Sequence, residues 1–450
     1  MSRSFLKRLG FIFFAFLVAA ACCTPAGRSF FGAPAHRQVL VGESLSSFLN
    51  VPPPLLRNLD FHTDHPELLE PSPSGTGPLV RNPGELQVSL RLFGVIPLRY
   101  LTVTAVPEVE VVPGGQAIGV LLHSQGVLVV GQAPIRDAKG REHSPAREAG
   151  IAPGDLLLKI NGRQVISESD VRELVNKAGR GGRPLKLELR RQKRTFQARV
   201  TPIYCGETAH WRIGLLVRDS AAGVGTLTFY EPHTRSYGAL GHVIADAQTS
   251  QAIELADGKI VAAVIEGVRP GRRGQPGEKL GVFAGEGDIA GTIQKNTTCG
   301  IFGMLRSLPS VSFYRRPIPV ALAEQIRPGK AEILTVLDEN RVERFEIEIE
   351  RVRPGARKDG KGLVIRVTDP KLLERTGGII QGMSGSPIIQ DGRLVGAVTH
   401  VFINNPTRGY GVPVEWMVEE CGLRRSDIVR NEMNDRVKHR FAVENVPEVA

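Results

Sequence analysis

From Leu86 onward the sequence consists of short runs in which apolar and polar residues alternate, separated by turns rich in glycine and proline. One such stretch, "LQVSLRLFGVIPLRYLTVTAVPEVEVVPGG", begins at Leu86. A period of two places successive side chains on opposite faces of a strand, so each run indicates a half-buried β-strand. The chain has 50 glycines and 31 prolines among 450 residues, and only 6% aromatic residues. These features predict a mainly β protein with two or three domains and many tight turns.

The amino terminus has the order of residues that is typical of an export signal. Three basic residues, Arg3, Lys7 and Arg8, precede a largely apolar run from Leu9 to Cys23. This run of 15 residues is shorter than the roughly 20 needed to cross a bilayer comfortably. Residues 1–23 are therefore predicted to be a signal peptide or a membrane anchor, and the protein is expected to be exported.

The charge balance favours anionic surfaces outside the cytoplasm. The formal net charge is +11, and about +8 remains without residues 1–23, which carry three basic and no acidic side chains. Such an excess suits a membrane surface. Nucleic acid is not predicted as a partner, because aromatic residues do not alternate with the basic ones. Outside residues 1–23 the cysteines are Cys205, Cys299 and Cys421, which lie far apart in the chain. This spacing predicts neither a disulfide framework nor a zinc site, and no metal or cofactor is expected.

The segments that flank the domains are predicted from composition. Residues 24–85 are rich in proline, serine and glycine, as in "VPPPLL" and "EPSPSGTGP", and are predicted to be a linker without a core. Residues 86–111 are predicted to form a small β connector, and residues 431–450 a charged tail.

Residues 112–202 resemble a PDZ domain. The run "AREAGIAPGDLLLKINGRQV", which begins at Ala146, is a specific signature of that family. A PDZ fold leaves one strand edge open beside a helix, where an extended peptide adds as a further strand. The resemblance implies that the segment "GGQAIGVLL" forms the carboxylate-binding loop and receiving strand for a peptide ligand, with Gln116, Ala117, Ile118 and Gly119 in the loop.

The region from 203 to 430 has the pattern of an antiparallel barrel or a pair of barrels, with the sequence "GMSGSP" near its end. Hydrolysis of a peptide bond needs a hydroxyl, an adjacent base, a carboxylate that orients the base, and donors aimed at the developing oxyanion. Ser384 is the candidate nucleophile. Glycines on either side allow the sharp turn in which the amides of Gly382 and Ser384 could form the oxyanion hole. A hairpin after Pro387, with a turn at Asp391 and Gly392, would hold this loop.

His242, in "GALGHVIAD", is the candidate base. A glycine-rich stretch precedes it and would place it at a loop edge near a strand end. His210, His233 and His400 lie in the same region, and spacing alone leaves them as alternatives.

The order of these motifs resembles a chymotrypsin-like serine peptidase, and the chain as a whole resembles the stage IV sporulation protein B family. The phrases "GALGHVIAD", "PGEKLGVF", "NTTCGIFG" and "QGMSGSPIIQDGRLVGAVTHV" carry the resemblance over residues 86–430. It implies a chymotrypsin-like double β-barrel with His242 as general base and Ser384 as nucleophile. It also implies Asp369 as the orienting carboxylate. Asp246 and Asp288 remain alternatives, and Asp369 followed by Pro370 is equally a good helix N-cap.

The resemblance further implies a signalling role in endospore formation. Members of the family are exported into the space between the two forespore membranes, process themselves, and cleave a membrane-bound regulator of an intramembrane protease, which leads to activation of a late sigma factor. Residues 24–83 would be an accessible place for self-cleavage. The alternatives are an envelope PDZ scaffold with an inactive protease-like domain and a quality-control protease of the envelope. The second usually carries its PDZ domain after the protease domain, whereas here the order is reversed.

Overall fold

The computed structural model describes residues 36–47, 49, 56, 58–72, 77–284, 289–353 and 359–423. The predicted signal or anchor segment, 1–23, and the predicted tail, 431–450, lie outside these residues. The chain divides into two compact units, residues 1–109 with 424–450, and residues 110–423. Within the described residues, no helix has both the length and the apolar character to cross a membrane.

The described part of the first unit is a small β domain. Its strands are β1 (His36–Leu40), β2 (Leu59–Thr63), β3 (Leu69–Glu70), β4 (Leu79–Val80), β5 (Gly84–Leu92) and β6 (Ile96–Val106), with a 3-10 turn at Pro66–Leu68. Four of them form a sheet in the order β1, β6, β5, β2, and β3 pairs with β4. Val39, Leu45 and Leu86 are almost fully buried in its core.

This domain corrects the linker prediction for the described residues of the 24–85 segment. Residues there form strands and share a hydrophobic core with the strands of the predicted connector. The sequence conceals them because β1 to β4 have only two to five residues each and lie between proline-rich and serine-rich stretches. An alternating pattern needs a longer run to be recognised.

The described residues of the second unit form the remaining strands and four helices. Its amino-terminal half comprises β7 (Glu110–Pro113), β8 (Ala117–Gln132), β9 (Ile135–Arg136), β10 (Glu142–His143), α1 (Pro145–Glu148), β11 (Leu156–Ile160), β12 (Arg163–Gln164), α2 (Glu168–Arg180), β13 (Leu185–Arg191), β14 (Arg194–Val200), β15 (Ile203–Cys205), β16 (His210–Arg212) and β17 (Leu215–Tyr230). Its carboxyl-terminal half comprises β18 (Ser236–Ala239), β19 (Leu255–Arg269), β20 (Glu278–Phe283), β21 (Ala290–Thr297), β22 (Gly300–Ser307), β23 (Ile318–Pro319), β24 (Gly329–Val336), β25 (Val342–Val352), β26 (Leu363–Val367), α3 (Pro370–Thr376), β27 (Pro387–Gln390), β28 (Arg393–Phe402), β29 (Asn405–Pro413) and α4 (Val414–Cys421).

Two closed barrels of six strands form the body of this unit. In the first, β8, β19, β21, β22, β18 and β17 pair in turn, and β17 pairs back onto β8. In the second, β24, β25, β26, β29, β28 and β27 close in the same way. The prediction of a mainly β fold with a PDZ domain and a double β-barrel is confirmed.

The PDZ domain is an insertion in the first barrel. Strands β8 and β17 are adjacent barrel strands, and the PDZ elements lie between them in the chain. One half of β8 pairs within the barrel, and the other half pairs with β11 of the PDZ domain. The predicted boundary between a PDZ domain at 112–202 and a peptidase at 203–430 is therefore corrected, because β8, before the PDZ elements, already belongs to the peptidase barrel.

Local sequence signals account for several of these elements. Helix α2 begins with a capping box, in which the Ser167 side chain accepts from the Asp170 amide and the Asp170 carboxylate accepts from the Ser167 amide. The hairpin predicted after Pro387 is present as β27 and β28, and its turn residues Asp391 and Gly392 have φ of 50° and 75°. Such left-handed pairs suit the twist of a two-residue hairpin. Helix α4 begins directly after Pro413, which occupies its N-cap position.

Candidate active site

The loop "GMSGSP" lies between the two barrels and is attached to the first one by Thr226. The Thr226 amide donates to Ser384 O over 2.9 Å, and its hydroxyl donates to Gly382 O over 2.7 Å. Thr226 is fully buried in β17. Because the loop itself leads into β27 of the second barrel, these bonds tie the nucleophile loop to both barrels.

Gly385 is required by the closeness of this contact. Its φ is 95°, and a Cβ there would lie 2.1 Å from Thr226 O and 2.5 Å from Leu240 N. Any larger residue would therefore displace the backbone of the first barrel. The Gly385 amide donates to Val398 O over 2.8 Å, which fixes the loop against β28 as well.

The predicted oxyanion-hole amides are free to bind a ligand. Among the described residues, neither the Gly382 amide nor the Ser384 amide donates to a protein acceptor, whereas the Met383 amide donates to Ile380 O. Each free N–H shares a peptide plane with a carbonyl that is itself held: Gln381 O accepts from the Lys279 amide, and Met383 O accepts from the Ser386 amide. The two donors are thus fixed in direction before any substrate arrives, which is the arrangement that stabilises an oxyanion.

The Ser384 hydroxyl is engaged with the backbone in this structure. Its Oγ donates to Thr399 O over 2.8 Å. Within the described part of the chain it makes no hydrogen bond to a histidine. Catalytic hydrogen bonds are often absent before substrate binds. The hydroxyl must therefore leave Thr399 O before a base can take its proton.

His242 has the protonation pattern of a general base. Its Nδ1 lies 2.9 Å from Val243 O, and a carbonyl can only accept, so Nδ1 carries the proton and Nε2 keeps its lone pair. Burial lowers the pKa of His242, although the bond to Val243 O acts in the opposite direction. The neutral imidazole is thus favoured, and it is the form that can accept a proton from serine.

The segments that carry His242 and Ser384 meet around Thr399 and His400. A Cβ at Gly241, the residue before His242, would lie 2.9 Å from Thr399 Cγ2. The rings of His242 and His400 have centroids 5.0 Å apart. His400 is a poorer base, because burial, helped by the charges of His242 and Lys361, lowers its pKa to about 4. The structure therefore brings His242 and Ser384 into one region. Thr399 links the two segments, and the sequence patterns did not predict this residue as part of the site.

The structure does not bring Asp369 to His242. Asp369 is the N-cap of α3, where Oδ1 accepts from the Leu372 amide over 3.0 Å and Oδ2 accepts from the Glu346 amide over 3.3 Å. In this arrangement Val243 O, not a carboxylate, holds Nδ1 of His242. The assignment of Asp369 as the orienting acid stays a prediction.

The other candidate carboxylates differ in their hydrogen-bond partners and in their distance from the histidines along the fold. Asp246 is buried and accepts from Gln248, Thr249 and Arg218, and these bonds lower its pKa even though burial alone would raise it. Its bonds to Gln248 and Thr249 orient its own loop. Asp288 lies outside the described residues. Asp359 was missed by the sequence reasoning; its neighbour Gly360 accepts from the Thr399 hydroxyl over 2.7 Å, and its charge acts on His400.

Three asparagine substitutions assign the orienting carboxylate. If Asp369 is the orienting carboxylate, Asp369→Asn lowers the rate of hydrolysis by up to about 10⁴-fold, as loss of this carboxylate does in a serine peptidase triad. Asparagine caps a helix about as well as aspartate, so α3 is expected to remain intact. Asp246→Asn and Asp359→Asn are measured beside it. If only Asp246→Asn or only Asp359→Asn loses activity, that residue is the carboxylate that orients His242. Full activity in all three variants indicates a serine–histidine dyad in which Val243 O alone holds His242.

The segment predicted to receive a PDZ ligand lies inside the peptidase barrel, so this prediction is wrong. Ile118 in β8 faces Gly225 of β17 on one side and Ala262 of β19 on the other. Gln116 is buried, and its amide nitrogen donates to Val311 O over 2.7 Å. No strand edge is open at residues 118–119, because β17 and β19 pair with them on both sides. The phrase "GGQAIGVLL" resembles a carboxylate-binding loop only because a glycine turn also precedes this barrel strand.

An open groove lies instead between α2 and the beginning of β17. It has a volume of about 660 Å³ and is lined by apolar side chains that include Val171, Val175, Trp211 and Leu216. Residues 215–217 pair with β8 on one side, and in the described part of the chain no strand pairs with their other edge. Leu216 is half exposed. A free strand edge beside a helix is the feature by which PDZ domains bind peptides.

The double barrel, the Ser384 hydroxyl on a loop with two free amides, and the neutral histidine in the same region define a serine peptidase, and the inserted domain makes it a PDZ-containing one. Comparison with family models agrees: residues 136–191 match the PDZ domain model. Residues 209–418 match the model described as SpoIVB peptidase S55. The resemblance stated from the motifs is confirmed. No curated protein sequence matches the chain.

Solved structures that match are distant. The PDZ domain of the SdrC-like protein from Listeria monocytogenes is 19% identical and matches 21% of this chain and 87% of its own, with a TM-score of 0.17. The active form of the Rv3671c protease from M. tuberculosis is 14% identical over 45% of this chain and 75% of its own, with a TM-score of 0.27. The thermostable serine protease AL20 from an extremophilic microorganism is 11% identical over 43% and 85%, with a TM-score of 0.27. Similarities of this size carry no argument about function.

Proposed function

We propose that Ser384 is the nucleophile of an endopeptidase, that His242 is its general base, and that the amides of Gly382 and Ser384 form the oxyanion hole. The observation that carries the proposal is the pair of free, pre-oriented amides on a loop whose hydroxyl lies in the region that also holds His242. Gly382 is buried and Ser384 is half-buried. A turn with a purely structural role would be expected to pair amides in such positions, because unpaired donors cost free energy.

The reaction follows from this geometry. The Ser384 hydroxyl leaves Thr399 O and attacks the carbonyl carbon of the scissile bond, while Nε2 of His242 takes its proton. The carbonyl oxygen becomes the oxyanion and accepts from the two amides. The intermediate then collapses, and His242 returns the proton to the leaving amine. Water hydrolyses the acyl-enzyme by the same steps and restores the Ser384 hydroxyl.

For the substrate, we propose a membrane-associated regulatory protein whose cleavage triggers signalling between compartments during sporulation. The support is the S55 family match, together with the apolar run from Leu9 to Cys23 and the positive net charge, which suit export and a membrane surface. We also propose self-cleavage in the amino-terminal part of the chain, and location in the space between the forespore membranes or on a membrane facing it.

The PDZ groove between α2 and residues 215–217 is the proposed site for a peptide of the substrate or of the chain itself. Its apolar lining offers a pocket for an apolar side chain, and its free strand edge offers backbone hydrogen bonds. Binding there would hold a protein substrate close to the peptidase barrels.

The experiment is complementation in an endospore former that lacks its own enzyme of this family. We expect the wild-type chain to restore activity of the late mother-cell sigma factor, measured with a reporter, and the Ser384→Ala variant, present at the same level, to fail. Mass spectrometry of the wild-type protein is expected to show a new amino terminus that the variant lacks.

The same experiment tests the alternative, an envelope PDZ scaffold without enzymatic activity. Restoration by Ser384→Ala as well as by the wild type would favour the scaffold. If neither chain restores the sigma factor although the wild type reacts with an active-site serine probe, the sporulation substrate is rejected and the peptidase assignment is kept.

A further inference from the structure

A buried lysine supports the nucleophile loop from the side of the first barrel. Lys279 lies in β20 and is only 5% exposed. The neighbouring strand residue Glu278 forms a parallel bridge with Gln381, the residue immediately before Gly382. The proposed reaction assigns Lys279 no role, and the motif "PGEKLGVF" carried the family resemblance without any function for its lysine.

The backbone of Lys279 sets the direction of one oxyanion donor. Its amide donates to Gln381 O over 3.0 Å, and Gln381 in turn donates to Gly277 O over 2.9 Å. Gln381 O and the Gly382 N–H belong to the same peptide plane and point in opposite directions. Fixing that carbonyl on β20 therefore aims the Gly382 N–H away from the strand.

The side chain of Lys279 lies against the same glycine. A Cβ at Gly382 would be 3.0 Å from Cδ, 3.1 Å from Cβ and 3.2 Å from Cγ of Lys279, so the lysine stem occupies the space beside Gly382. The far end is held in the second barrel, where Nζ donates to the Thr335 hydroxyl over 2.7 Å. Thr335 is fully buried in β24. The stem is thus fixed at both ends while it contacts Gly382.

Keeping an amine in this position has a cost. Burial lowers the pKa of Lys279 to about 7. Among the described residues, the Lys279 amine has one hydrogen-bond partner, the Thr335 hydroxyl, and no carboxylate forms an ion pair with the amine. An apolar side chain of similar shape would avoid that cost. Perturbed, buried titratable groups of this kind are concentrated at functional sites.

We propose that Lys279 is a positioning residue of the oxyanion hole, which holds Gly382 between its own backbone, its stem and the anchoring bond from its amine to Thr335. The inference rests on the proposed role of the Gly382 amide. Lys279 acts through Gly382 and has no direct contact with substrate in this role. Releasing the amine from Thr335 lets the stem move, and with it the donor that must meet the oxyanion.

The test uses the purified full-length protein and a fluorophosphonate probe, which needs the nucleophile and the oxyanion hole but no peptide sequence. The double variant Lys279→Met, Thr335→Val keeps the stem and removes both polar ends, so it leaves no unpaired polar group. We expect its maximal labelling rate to fall by about 10- to 100-fold, the effect of a small misplacement of a catalytic group. The probe concentration at half-maximal rate should stay within about 3-fold of wild type, because binding contacts are unchanged.

Thr335→Ser is the matched control. It keeps the hydroxyl, so its labelling rate should stay within about 2-fold of the wild-type rate. The thermal midpoint and the fraction of protein that finally labels show whether each variant is folded. Labelling of the folded double variant at the wild-type rate overturns the proposal. So does an equal loss in Thr335→Ser, because the hydroxyl would then not be the anchor. If the wild type itself fails to label, the proposed nucleophile is rejected instead.

Discussion

Ser384→Ala is expected to abolish peptide-bond hydrolysis and reaction with a fluorophosphonate probe while the protein stays folded. The substitution removes the attacking oxygen, and loss of the nucleophile alone costs about 10⁶-fold in kcat in a comparable peptidase. The one hydrogen bond that is lost, to Thr399 O, contributes only about 1 kcal/mol to the free energy of unfolding. Probe labelling, cleavage of an unfolded protein substrate and the thermal midpoint are measured on the full-length protein.

Ser386→Ala is the matched control for this experiment. Ser386 lies two residues further along the same loop, is fully buried, and its Oγ has no hydrogen-bond partner in the described part of the chain. Its removal should leave labelling and hydrolysis nearly unchanged. Labelling that persists in Ser384→Ala, or that disappears in Ser386→Ala at an unchanged thermal midpoint, contradicts the assignment of Ser384.

His242→Ala is the second substitution with a large expected effect. Without Nε2 no neighbouring group takes the proton from Ser384, so the rate should fall nearly as far as in Ser384→Ala, by about 10⁶-fold. Members of a catalytic unit fail together, and the double variant should be no slower than either single one. Steady-state hydrolysis and the labelling rate are the measurements.

The pH profile of the wild type gives an independent check on His242. The base must be neutral to act, so the rate rises as pH increases through its pKa. Burial lowers that pKa below 6.5, and the acid limb of the profile is therefore expected below pH 6.5. His233→Ala, at an exposed position, is the control and should behave as wild type. If His400→Ala is inactive and His242→Ala retains most of its rate, His400 and not His242 is the general base.

Local chemistry made several parts of the fold predictable. Asp391 and Gly392 define the hairpin turn after the nucleophile because few residue pairs accept two left-handed conformations. Ser384 could be recognised because glycines on both sides leave a serine in a turn of unusual geometry. These signals act within a few residues of the chain, and the structure retains them.

Features that depend on distant contacts were beyond the reach of the sequence. Thr226 is an unremarkable threonine in an alternating strand, and only the approach of another barrel gives it the carbonyls of Gly382 and Ser384 to bind. The segment at Gln116 is a second example. A glycine turn before a strand resembles a peptide-binding loop, and only the pairing of β8 with β17 and β19 shows that the strand is already covered on both sides. Periodicity shows that a strand exists and gives no information about its neighbours.

The insertion of the PDZ domain limits how the protein can be shortened. A chain that begins at residue 203 would lack β8, and its first barrel would be left open along β17 and β19, with two unpaired edges. Excision between Ala133 and Gly214 is different, because the Ala133 amide already donates to Gly214 O over 3.2 Å and the cut ends lie together. A short turn could join them and close β8 and β17 into a hairpin. The peptidase can therefore be separated from the groove by removing residues between 133 and 214, whereas trimming the amino terminus as far as residue 203 would destroy both.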